Sequence, residues 1–181
     1  MNWSNINWIE LIGQCFGIAA FTIAFLAYQA KTSQRLLIIQ SGAILCFCIH
    51  YALLGAMTGF ALNVICLARN IIFSNKDKRL FRSKLWPYAL ALVTVVIGVF
   101  TWEAWYSILL IIALAVNTVC MALPTSQGIR ISLLVTCPPA LVYNICVGSI
   151  GGIVNESLSI ISATIGIIRY SKQKKEKEQK L

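Results

Sequence analysis

Charge is scarce in this 181-residue chain, where Asp, Glu, Lys and Arg together supply 12%. Soluble domains carry roughly 25%. A chain of this length in water has too much surface for so few charges to cover, so an ordinary soluble enzyme is excluded. Histidine occurs once, and there are 6 acids and 4 prolines. No Cys-x-x-Cys, no His/Cys cluster, no phosphate-binding glycine loop and no Ser/His/acid spacing occurs. The expectation is therefore no metal, no cofactor and no enzyme activity. Disorder is excluded as well, because 59% of the residues are apolar and the mean hydropathy is +0.79. A multi-pass membrane protein remains.

The 7 cysteines all lie inside apolar runs, and their odd number argues against a disulfide framework. They read as small apolar fillers between helices.

Apolar runs long enough to cross a hydrocarbon core of ~30 Å are Leu11–Tyr28, Leu36–Leu54, Met57–Phe73, Leu85–Thr101, Ala104–Leu123, Ile131–Gly148 and Ile150–Ile168. Gly55-Ala56 separates the second from the third, and Gly148-Ser149 the sixth from the seventh. Both breaks suit tight hairpins. Trp102-Glu103-Ala104-Trp105 must break the fourth from the fifth. Without it, Trp86–Ala122 would make one helix of about 55 Å, too long for the bilayer. No Lys or Arg precedes the first span and no small-residue cleavage site follows it. It reads as a retained helix with Trp3 and Trp8 at its interface, and not as a signal peptide.

The net charge of +9 then becomes a topology label. Lys31 and Arg35 fall in the first inner loop, Lys76, Lys78, Arg79, Arg82 and Lys84 in the second, and Arg130 in the third. Arg169, Lys172, Lys174, Lys175, Lys177 and Lys180 fall in the tail, and Arg69 lies one turn inside the third span, where it is expected to snorkel. The outer segments hold Glu10 and Glu103 and no basic residue. This pattern predicts an N-terminus outside and a C-terminus in the cytoplasm. No basic soluble domain is present, so nucleic acid is not an expected partner. The lipid bilayer is one, and the sequence is silent on oligomeric state.

An offset of 93 residues aligns the chain with itself without gaps. Glu10 falls on Glu103, Thr32-Ser33-Gln34 on Thr125-Ser126-Gln127, Gly55 on Gly148 and Gly59 on Gly152. The register lays spans 1–3 on spans 5–7 and leaves span 4 as a linker, a parallel repeat. The expected fold is therefore all-α: two three-helix bundles, 1–73 and 104–168, joined through a basic loop and linker helix over 74–103 and followed by a basic tail, 169–181. This 3+1+3 topology resembles the SWEET, PQ-loop and nicotinamide-riboside transporter superfamily of small-solute carriers. The Pro-Gln pair that ends the first helix of those bundles reads Tyr28-Gln29 here, with Pro124 near the equivalent point, while Pro138-Pro139 inside span 6 offers another hinge. Local sequence is closer to the YgjV-type bacterial inner-membrane family, through Gly17-x-x-Ala20-Phe21, Phe25-x-x-Tyr28-Gln29-x-Lys31, Gln40, His50, Leu53-Leu54-Gly55-Ala56-x-Thr58-Gly59, Asn63 and Arg69-Asn70. That resemblance implies residence in the bacterial inner membrane.

Polar residues inside spans cost roughly 2.5–3.5 kcal/mol when ionisable, so each requires a reason. His50, Tyr51 and Asn63 in the first bundle align with Tyr143, Asn144 and Glu156 in the second, with Asn155 beside the last. These seven residues are expected to line a pocket for a small polar solute, with Pro138 and Pro139 as a hinge. His50 or Glu156 could bind a coupling proton. Asn70 and Asn117 read as interhelical glue. The expected function is transport or facilitated passage of a small neutral or cationic polar solute; the alternative is a membrane scaffold or assembly partner.

Overall fold

The computed structural model describes residues 7–27, 33–75, 78–121 and 126–178. The expected interfacial Trp3, the Tyr28-Gln29 pair, Lys31, Thr32, Lys76, Pro124, Thr125 and Lys180 lie outside the described residues. The described chain is all-helical: α1 (Trp8–Ala27), α2 (Ser33–Leu53), α3 (Met57–Ser74), α4 (Trp86–Phe100), α5 (Ser107–Cys120), α6 (Ser126–Cys146) and α7 (Ile150–Glu178), with a 3-10 turn at Arg79–Phe81.

Each helix covers one expected apolar run, but the boundaries shift. Ala104–Tyr106 form a turn, so α5 starts at Ser107. α7 continues past its apolar stretch into the charged tail as far as Glu178. Lys, Glu and Gln are good helix formers, so polarity ends the span without ending the helix. Trp8–Ala27, Met57–Ser74 and Ile150–Ile168 are long and apolar enough to cross a membrane, whereas the apolar stretches Leu37–Leu53, Trp86–Phe100, Ser107–Cys120 and Ile131–Cys146 are shorter.

The α2–α3 and α6–α7 connections close with the same backbone geometry. Gly55 has φ +74° and Gly148 φ +69°. The Ala56 N–H donates to Tyr51 O at 2.9 Å and the Gly55 N–H to Ala52 O at 3.2 Å; Ser149 to Asn144 O and Gly148 to Ile145 O repeat both distances. This is a Schellman helix end, in which glycine takes the left-handed position. The first N–H groups of the next helices take side-chain acceptors from across the molecule. Met57 N–H donates to Glu103 Oε1 at 2.5 Å and Ile150 N–H to Gln14 Oε1 at 3.1 Å, satisfying donors that a helix start leaves unpaired.

Six helices close a ring: α1 packs on α2, α2 on α3, α3 on α5, α5 on α6, α6 on α7 and α7 on α1. α4 sits outside it, against α3 and α5. Polarity is inverted relative to a soluble domain. His50, Thr58, Asn70, Ser107 and Ser149 are fully buried, while Phe100, Leu92, Val99 and Ile38 are exposed. That distribution suits lipid as the surrounding solvent, because lipid solvates apolar side chains and leaves polar groups to find partners inside.

Candidate functional site

A cavity of about 150 Å³ lies inside the ring, and all six ring helices contribute to its wall. From α2 come Gln40 and Tyr51, from α3 Asn63 and Arg69, from α5 Asn117. The α6 wall supplies Cys137 and Asn144, and α7 supplies Asn155, Glu156 and Ser159. Among its described lining residues, Glu156 is the one carboxylic acid and Arg69 the one base.

Five of the seven residues expected to line a pocket are in this wall: Tyr51, Asn63, Asn144, Asn155 and Glu156. His50 and Tyr143 are fully buried beside it and outside its lining. His50 is held at both ring nitrogens, with Nδ1 2.7 Å from Gly13 O and Nε2 2.7 Å from Ser149 Oγ. A carbonyl only accepts, so Nδ1 carries the proton, and in the neutral ring the Ser149 hydroxyl donates to Nε2. The ring occupies space that Gly17 leaves open; a Cβ there would stand 2.8 Å from His50 Cε1. His50 thus joins α1, α2 and the α6–α7 turn.

Tyr143 makes a comparable link. The Gly59 N–H donates to Tyr143 Oη at 2.9 Å, and a Cβ on Gly59 would lie 2.8 Å from that oxygen. The neighbouring Tyr51 hydroxyl donates to Asn144 Oδ1 at 2.6 Å. Together these bonds draw α2, α3 and α6 across the ring at its hairpin end. Deeper in, Asn63 Nδ2 donates back to Gly59 O at 2.8 Å. Asn155 Nδ2 donates to Glu156 Oε1 at 3.1 Å, and Cys137 lines the same cavity as Glu156. Pro138 is exposed, Pro139 half-buried, and α6 runs through both as one helix.

Arg69 corrects the expectation of snorkelling. It is 3% exposed. Its Nη1 donates to Asn117 Oδ1 at 3.1 Å and Thr118 Oγ1 at 3.3 Å; Nε and Nη2 donate to Asn70 Oδ1 at 3.4 and 3.3 Å. Asn70 Nδ2 in turn donates to Gln40 Oε1 at 3.3 Å. Reaching the interface would cost the guanidinium these partners, and they hold it inward. The signal was present in the sequence: an arginine inside a span, followed by Asn70, is by default a group with an internal partner. Asn117 and Gln40, weak as single polar residues, gain meaning only through Arg69.

A family model, Imp-YgjV, described as a bacterial inner membrane protein, matches residues 11–174. No curated protein and no solved structure matches the chain.

Proposed function

The chain belongs to the Imp-YgjV family of bacterial inner membrane proteins, and on that premise we propose that it carries a small polar solute through the central cavity. The observation behind this reading is a polar-lined cavity inside a ring whose outer surface is apolar. Lining a membrane-protein interior with amides, an acid and a base has a cost that packing alone does not require. Binding at mid-depth between two halves suits alternating access.

In this reading the molecule is a duplicated three-helix bundle, 3+1+3, with α4 as the linker. Four features support the duplication. Gly55 and Gly148 stand 93 residues apart with matching hydrogen bonds; Tyr51 bonds to Asn144, 93 residues on; α1 packs on α7 as α3 packs on α5; and α4 lies outside the ring. The seven helices then cross seven times, N-terminus outside and C-terminus in the cytoplasm, the orientation that the one-sided basic residues favour. The shorter α4 and α5 would reach the interface with Trp86, Trp102 and Trp105 at their flanks. The hairpin end would be the periplasmic gate, closed here by Tyr51–Asn144, Gly59–Tyr143 and His50–Ser149.

The test is a thermal-shift screen of the purified protein against sugars, vitamins, nucleosides and amines, followed by uptake into proteoliposomes. A ligand bound by the native state raises the melting temperature by mass action. The expected result is a stabilising solute that also accumulates in vesicles, with both effects lost in Glu156→Gln. A scaffold would instead co-purify stoichiometrically with a second protein and respond to no solute, and that outcome would sink the carrier.

A further inference from the structure

The cavity holds two ionisable side chains that do not neutralise one another directly. Arg69 is bonded through four hydrogen bonds, all to neutral acceptors on Asn70, Asn117 and Thr118. Glu156 is bonded by the Asn155 amide, also neutral. Among the described residues no carboxylate pairs with Arg69 and no basic side chain pairs with Glu156.

Their separation along the ring follows from chain position. Glu156 lies eight residues beyond Gly148, and Arg69 lies fourteen beyond Gly55, the matching turn glycine. The six-residue difference is about 9 Å of helix rise. The two groups therefore stand at different depths on different helices, both facing the same space. A single cation would satisfy Glu156 and leave Arg69 with neutral partners only; a single anion would do the reverse.

We propose that the cavity recognises a small zwitterion, its ammonium on Glu156 and its carboxylate on Arg69, with Asn63, Asn117 and Asn155 bonding the chain between. This inference rests on the carrier reading and names its substrate class. It also revises the expectation of a neutral or cationic solute, which took no account of a base in the wall. A zwitterion supplies both counter-charges while remaining neutral overall, so the loaded cavity carries no net charge in a low-dielectric surrounding. Size agrees. A cavity of about 150 Å³ accommodates a solute on the order of benzene, which includes an ω-amino acid of four carbons.

The experiment uses one carbon skeleton with each charge removed in turn: 4-aminobutyrate, butylamine, butyrate and butyramide, with glycine and 6-aminohexanoate setting the length limits. Each is titrated against the full-length purified protein and read as a shift in melting temperature. The expected result is that 4-aminobutyrate stabilises at least tenfold more tightly than any of its three analogues. In Glu156→Gln the preference passes to butyrate, and in Arg69→Gln to butylamine. Such an exchange of preference is not produced by a merely structural role, and Glu156→Gln decides alone if the arginine variant does not fold. Preferential binding of butyramide, butylamine or butyrate to the native protein would overturn the zwitterion and leave the carrier standing. A series without any shift would overturn the zwitterion too, and the carrier would then be judged by the broader solute screen and vesicle uptake.

Discussion

The Tyr51 hydroxyl donates to Asn144 Oδ1 at 2.6 Å across the ring, from α2 to α6, and the two residues occupy the same position relative to Gly55 and Gly148. In the proposed duplication these two positions are equivalent, and contact between equivalent positions is what a two-fold axis would produce, since only groups near an axis meet their own counterparts. Tyr51 and Tyr143 rings also lie 6.3 Å apart there. The hairpin end of the ring is thus tied at its centre as well as around its rim.

Removing that tie should be measurable on its own. Tyr51→Phe leaves the buried Asn144 carbonyl without its donor, so the expected loss is about 1–3 kcal/mol. Replacing Asn144 by Leu in the same background removes the orphaned group and should recover part of it. Thermal unfolding in detergent of the two single variants and the double variant gives the coupling. Strict additivity would show that the bond does not hold α2 to α6.

Gly17 and His50 make a second tie with a different physical basis. Alanine at Gly17 puts a methyl group against a ring pinned at both nitrogens, and overpacking of this kind costs about 1–3 kcal/mol. His50→Ala vacates the space. Gly17→Ala should therefore cost little when His50→Ala is already present, a comparison that melting temperatures of the native protein, the two single variants and the double variant provide.

Arg69 should not be replaceable by lysine. The guanidinium reaches Asn70 on its own helix and Asn117 and Thr118 on α5 through three separate nitrogens, a fork that a single ammonium cannot match. Arg69→Lys is expected to lose about 1.5–3 kcal/mol, the range for hydrogen bonds to a charged group. A melting temperature unchanged from native would mean that charge alone, without the fork, is sufficient.

Much of this arrangement was legible in the sequence where a residue type admits one backbone answer. Gly55 and Gly148 marked the hairpins because a left-handed helix end excludes most other residues, and the apolar runs between them marked the helices. What the sequence left open depends on helix rotation. Arg69 calls for an internal partner, but that this partner is Asn117 and Thr118 stays open until α5 is set beside α3. His50 and Tyr51 are adjacent in sequence and point into different environments, one into the groove at Gly17 and the other into the cavity wall. That the basic tail continues α7 as far as Glu178 was not legible for another reason: hydropathy reports where lipid ends, whereas helix propensity decides where the helix does.

The glycines supply a ranking that tests the packing of the helices as a whole. At Gly42 a Cβ would make ordinary contact, 3.8 Å from Ile23 Cγ2, at an exposed position in the interior of α2. Alanine there should be neutral or stabilising by up to about 1 kcal/mol through helix propensity. At Gly55 and Gly148 nothing lies within 4 Å, so alanine meets only the left-handed backbone penalty of about 1–2 kcal/mol, and asparagine should meet less. Gly151 is different in kind. Its Cβ would overlap the backbone of Gly17 itself, and backbone has no rotamer by which to move aside. Gly151→Ala should therefore push α7 away from α1, open the ring at that contact, and cost more than any of the others. Melting temperatures in detergent should fall in the order Gly42→Ala, then Gly55→Ala and Gly148→Ala together, then Gly151→Ala. A Gly151→Ala protein as stable as Gly55→Ala would mean that α1 and α7 do not approach backbone to backbone, and that the ring is not closed there.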